Sequence, residues 1–60
     1  MIKTIGGEQH TCVVIVKNSK IVMNMTINKG STGYVDTDKC ENISSYYDQS
    51  RDMMMVRIEV

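Results

Sequence analysis

Sixty residues without a single Leu, Ala, Phe, Trp or Pro leave few ways to build a hydrophobic core. The apolar side chains present are seven Ile, seven Val, six Met, three Tyr and two Cys. Leu and Ala are the apolar residues best suited to a helix and are otherwise among the commonest in globular proteins, so their absence removes the usual material of a helical core. Val and Ile are stiff at χ1 and fit a pleated surface, while unbranched Met fills irregular gaps. The expected fold class is therefore mainly β. It is a single small antiparallel sheet of four to five strands, a meander or a small barrel, with one short helix at about residues 39–47 before a C-terminal strand. Residues 1–60 are expected to form one small β-rich domain with no internal repeat or linker.

A domain of this size buries only about 60% of the surface that its unfolded chain exposes, and small scaffolds commonly add disulfides, a metal or a partner subunit. With two Cys and one His, a partner is the more natural supplement here. Seven basic and seven acidic side chains cancel, which removes the long-range positive field of a dedicated nucleic-acid or anionic-membrane binder. No stretch approaches a membrane-spanning length, and MIKTIGGEQH lacks the apolar run of a signal peptide, so a cytoplasmic location is expected. In that compartment Cys12 and Cys40 are expected to be reduced, buried thiols.

The clearest local element is a hairpin. Thr11 to Lys17 is an apolar run, Asn18-Ser19 is a two-residue turn, and Lys20 to Asn28 alternates. Such a turn pairs Val16 with Ile21, Val14 with Met23, Cys12 with Met25 and His10 with Ile27, all on one face that is apolar except for His10. The opposite face then carries Lys17 against Lys20, Ile15 against Val22, Val13 against Asn24 and Thr11 against Thr26. Ile2 to Ile5 and Tyr34 to Thr37 read as short strands completing a meander, with Gly6-Gly7 as the turn after the first. Asp38 and Glu41 fit a capping box, and Cys40, Ile43 and Tyr47 share a helical face, which motivates the short helix. Met53 to Val60 closes the chain as a strand with Met54, Val56, Ile58 and Val60 on one face and Met53, Met55, Arg57 and Glu59 on the other.

Chemistry-bearing constellations are sparse. His10 and Cys12 share a strand face, with Cys40, Asp38 and Glu41 as conceivable further ligands, but one His-x-Cys pair lacks the paired close spacings of a structural zinc site. No metal and no cofactor are expected. A nucleophile needs a positioned base and an orienting group, and the single His serves every candidate, so no enzymatic activity is expected. Gly30 and Gly33 are hairpin glycines, since no Lys-Ser or Lys-Thr follows them into a helix.

Val13, Ile15 and Val22 form an apolar surplus on the second face of the expected hairpin. With Tyr34, Tyr46 and Tyr47, whose side chains have an apolar body and a polar tip, they make a candidate partner-binding surface. The expected function is a non-catalytic protein-binding module: a regulator or inhibitor docking on a larger protein, a homodimer, or both. Compact inhibitors from viruses and mobile elements are the analogy. Docking would proceed through that face or by strand addition at Ile2 to Ile5 or Met53 to Val60. The alternative is a small barrel-like binder of single-stranded nucleic acid. The tyrosines would stack on bases while Lys17, Lys20, Lys29, Arg51 and Arg57 contact phosphates. Acidic residues 36, 38, 41, 48 and 52 surround the tyrosines and weaken that reading.

Overall fold

The computed structural model covers residues 1–60 and is mainly β, mostly antiparallel, in two sheets that do not close into a barrel. The strands are β1 (Ile2–Gly6), β2 (Thr11–Lys17), β3 (Lys20–Ile27), β4 (Thr32–Asp36), β5 (Asn42–Asp48) and β6 (Met53–Glu59). β1 and β4 form a two-stranded ribbon, and the larger sheet has the order β3-β2-β6-β5.

The chain contains two continuous apolar runs, Cys12 to Val16 and Met53 to Val56, and these lie in the two central strands of the larger sheet. A strand shielded from water on both faces reads as an unbroken hydrophobic run, and on the reverse face of β2 Cys12 and Val14 are half-buried and Val16 is buried. β2 and β6 pair in parallel, Thr11 with Met54, Val13 with Val56 and Ile15 with Ile58. Because side chains alternate, those six residues share one face, and Val13, Val56 and Ile58 are the buried centre of the core. Ile5 of β1, Val35 of β4 and Cys40 pack onto it together with Ile15, Ile27 and Ile43, so the ribbon forms a second layer over the sheet. Thr11 is buried within this face, and its Oγ1 donates to the Gln9 carbonyl at 3.1 Å.

Four details of the sequence reading are corrected. First, the strands are not a meander: β1 pairs with β4, from Ile2 opposite Asp36 to Gly6 opposite Thr32. Gly6 and Gly7 both hold positive φ, at 86° and 106°, and lead the chain out of the ribbon into the other layer. Gly30 N donates to the Gly7 carbonyl at 3.0 Å, tying the outgoing and returning connections together.

Second, Met53 to Val60 is not a free edge, because β6 lies between β2 and β5. Third, no helix spans 39–47. Asp36, not Asp38, caps a single 3₁₀ turn at Thr37–Lys39, its carboxylate accepting from Asp38 N at 3.1 Å. Residues from Asn42 onward are strand, antiparallel to β6 from Asn42 opposite Glu59 to Asp48 opposite Met53. Ser, Asn and Tyr are middling helix formers, and as a strand the segment sets Ile43 beside Ile58 of the core.

Fourth, the hairpin register slips. Lys17 pairs with Lys20 and Val16 with Ile21 as expected, but a bulge then makes Ile15 pair with Met23. Val22 is the extra residue. Val14 thus faces Asn24, Val13 faces Met25, Cys12 faces Thr26 and Thr11 faces Ile27, in place of the expected pairings. One residue of slip exchanges the two faces, which carries Val13 and Ile15 to the core side and Cys12 and Val14 to the reverse. The cause lies in β6, whose Val56 and Ile58 offer Val13 and Ile15 a better apolar match than an isolated hairpin can.

The turn itself is as the sequence implies. Asn18 and Ser19 hold φ of 52° and 64°, the two consecutive left-handed residues of a primed hairpin turn. A side chain in that region costs roughly 1–2 kcal/mol, less for Asn. Replacement Ser19→Gly is expected to stabilise the protein by about 0.5–1 kcal/mol, read as a shift in the denaturant midpoint at unchanged slope. A loss of stability would mean that the turn is built differently.

Candidate partner-binding surface

β3 is paired on one side only. Seven of its eight residues are exposed, and the eighth, Ile27, is half-buried. The large apolar side chains among them are Ile21 at 66% exposure, Val22 at 58%, Met23 at 51% and Met25 at 41%. Met23 and Met25 share the core-side face with Ile27, but the ribbon reaches only Ile27. A Cβ at Gly6 or Gly33 would lie 3.0 Å from Ile27, so the ribbon backbone rests directly on that end of the strand. Met23 and Met25 are left about half exposed. On the other flank, a cleft of about 370 Å³ opens between Lys3 to Gly6 of β1 and the floor formed by Ile43, Ser45, Met54 and Val56.

Of the residues nominated from sequence, Val13 is 2% exposed and Ile15 is half-buried against the core, so neither is offered to a partner. Val22 is at the surface, at the bulge. Tyr34 is exposed on β4. Tyr46 and Tyr47 are consecutive on β5, on opposite faces of the sheet and at the edge farthest from β3. The proposed patch is therefore dispersed, and the exposed apolar residues instead line the β3 edge, Met23 and Met25 on the core-side face and Ile21 on the reverse, with Val22 at the bulge between them. The alternation of β3 signals only that one of its faces is solvated; its free edge follows from the strand order, which is set by long-range pairing.

The basic residues are likewise apart. Lys17 and Lys20 flank the β2–β3 turn at one end of the sheet. Arg51, in the β5–β6 turn, lies at the other end because β2 and β6 run parallel. Lys29 follows β3 at that second end, and Arg51 Nε is 3.6 Å from Asp48 Oδ2. His10 Nδ1 accepts from Lys29 N at 3.1 Å, so the imidazole serves to hold the loop after β3. Cys12 and Cys40 are free thiols on different sides of the sheet, Cys12 Sγ 3.5 Å from Asn24 Oδ1 and Cys40 Sγ 3.4 Å from the Asp36 carbonyl.

Two ionisable groups at the β5–β6 turn are shifted from their ordinary values. Asp48 Oδ1 accepts from Ser50 Oγ at 2.7 Å and Ser50 N at 3.1 Å, and the Ser50 hydroxyl chiefly holds its carboxyl below the usual carboxylate range. Tyr47 donates its phenol hydrogen to Asp52, which raises the Tyr47 pKa above the ordinary 10.0. Comparison of the chain with protein-family models, with curated proteins and with solved structures gives no match. No helix is long and apolar enough to cross a membrane.

The Tyr47–Asp52 contact has a testable sign. A pKa raised on folding stabilises the protein below the unfolded phenol value of about 10, and that contribution disappears as pH rises through the folded value. Wild type should therefore melt above Tyr47→Phe near neutrality and lose that margin in alkali. Absorbance titration should show Asp52→Asn lowering the pKa of one tyrosine. An unchanged titration would mean that the contact does not form.

Proposed function

We propose that this chain is a non-catalytic protein-binding module, a small cytosolic regulator or inhibitor that docks on a larger protein. The observation that carries the reading is the uncovered apolar edge formed by Ile21, Val22, Met23 and Met25 on β3. An unpaired edge presents main-chain donors and acceptors to an incoming strand, and adjacent apolar side chains add burial and selectivity. Proteins blunt such edges with inward charges, Pro, short strands or bulges; β3 has a bulge at Val22, but from Ile21 to Ile27 it has no charged residue and no Pro, and Met23 to Ile27 pairs in regular register. Met suits this role, because its flexible thioether adapts to differently shaped partners.

The test is affinity capture from a lysate of the native cell with wild type and Met23→Lys in parallel, after circular dichroism has shown that both are folded. Met23 is exposed, so the substitution should cost less than about 0.5 kcal/mol in stability. Wild type should retain a defined protein in a fixed ratio, and Met23→Lys should lose it. Retention of nucleic acid with a steep ionic-strength dependence would contradict the reading, as would capture indifferent to Met23→Lys.

A further inference from the structure

We infer that the partner for which β3 is built includes a second copy of this chain, joined antiparallel to the first through β3 about a two-fold axis at Asn24. The inference rests on the reading of β3 as a protein-binding edge and names an occupant for it. Residues 21 to 27 read Ile-Val-Met-Asn-Met-Thr-Ile, which is the same in either direction except that Val22 is matched by its β-branched near-isostere Thr26. A two-fold axis at Asn24 sets Met23 against Met25 of the second copy, and Met25 against Met23, on the core-side face; past them the bulge at Val22 turns Ile21 to the reverse face, so the symmetry of the strand itself is confined to Met23–Met25. A two-fold axis makes every contact reciprocal, and in this register the reciprocal contacts are apolar against apolar with no like charges opposed.

Charge and burial agree with that register. Lys20, the one charged residue of β3, falls opposite Asn28 and not opposite another Lys. Met23 and Met25 lie on the core-side face of the strand, half uncovered, and would meet their counterparts there, extending the apolar layer from one sheet into the next. The two four-stranded sheets would become one of eight strands. The bulge at Val22 falls two residues from the axis, so the ladder is confined to the segment about Met23 to Met25. The opposite edge, β5, has no such symmetry: it carries Asn42, Ser44, Ser45 and Asp48. A larger target that uses β3 would compete with the second copy for the same edge.

Asn24 meets its own counterpart at the axis, and this gives a decisive test by sedimentation equilibrium on full-length chains. Wild type should self-associate to a dimer at concentrations up to about 1 mM. Asn24→Lys and Asn24→Asp, each alone, place like charges face to face and should weaken the dimer at least about tenfold. An equimolar mixture of the two should restore it as a heterodimer, which a structural defect in either variant could not do. Cooperative thermal melting of each variant checks folding. Wild type monomeric throughout the range, or a mixture no more associated than its components, overturns the inference. If capture of another protein nevertheless depends on Met23, the inference fails while the protein-binding function stands. If the dimer forms but no other protein is captured, the reverse holds.

Discussion

Val13 beside Val56 and Ile15 beside Ile58, in a parallel pair of strands separated by most of the chain, is the contact on which the rest of the molecule depends. Parallel pairing cannot be closed by a short turn and must be reached by a crossover. Here the crossover includes β3, the return to β4 and the β5–β6 hairpin. Placing β2 and β6 at the centre assigns every other element. β3 and β5 become edges because each is the hairpin partner of a central strand, and β1 with β4 is left to form a lid on the apolar face. The slip at Val22 has the same origin: the face of β2 is chosen by β6, and β3 absorbs the mismatch with one extra residue.

The same arrangement explains why so small a chain leaves apolar surface uncovered. Only Thr11, Val13, Val16, Val56 and Ile58 are buried, and the two-stranded ribbon is too narrow to cover four strands. Its backbone presses on Ile27 and stops there, so that Met23 and Met25 lie beyond its reach. A marginal core and an open apolar edge are thus two consequences of one geometry, and pairing at the edge would add to the stability of the fold.

Composition made the β class legible, because a chain without Leu and Ala has little else to pack. Asn18-Ser19 identified the turn, and alternation grouped Met54, Val56 and Ile58 on one face of the last strand, the face that the structure buries. Strand order was not legible, since it is decided by long-range pairing. The clue that two unbroken apolar runs seek each other was present in Cys12 to Val16 and Met53 to Val56, but alternation within the local hairpin dominated it. That error propagated into the site. Val13 and Ile15 were assigned to the surface because the hairpin was read alone, and Met23 and Met25 were assigned to the core for the same reason. Residues 39–47 misled because a capping box and an i, i+3, i+7 spacing occur by chance in a polar segment, and tertiary pairing with β6 outweighed both.

The central claim is most directly tested by long-range backbone nuclear Overhauser effects between β2 and β6. A parallel pair gives contacts whose residue numbers rise together, linking Thr11 with Met54, Val13 with Val56 and Ile15 with Ile58. The account predicts that set. Contacts in which one number rises as the other falls, or contacts joining β2 to β1 in place of β6, would contradict it and with it the assignment of β3 as the open edge.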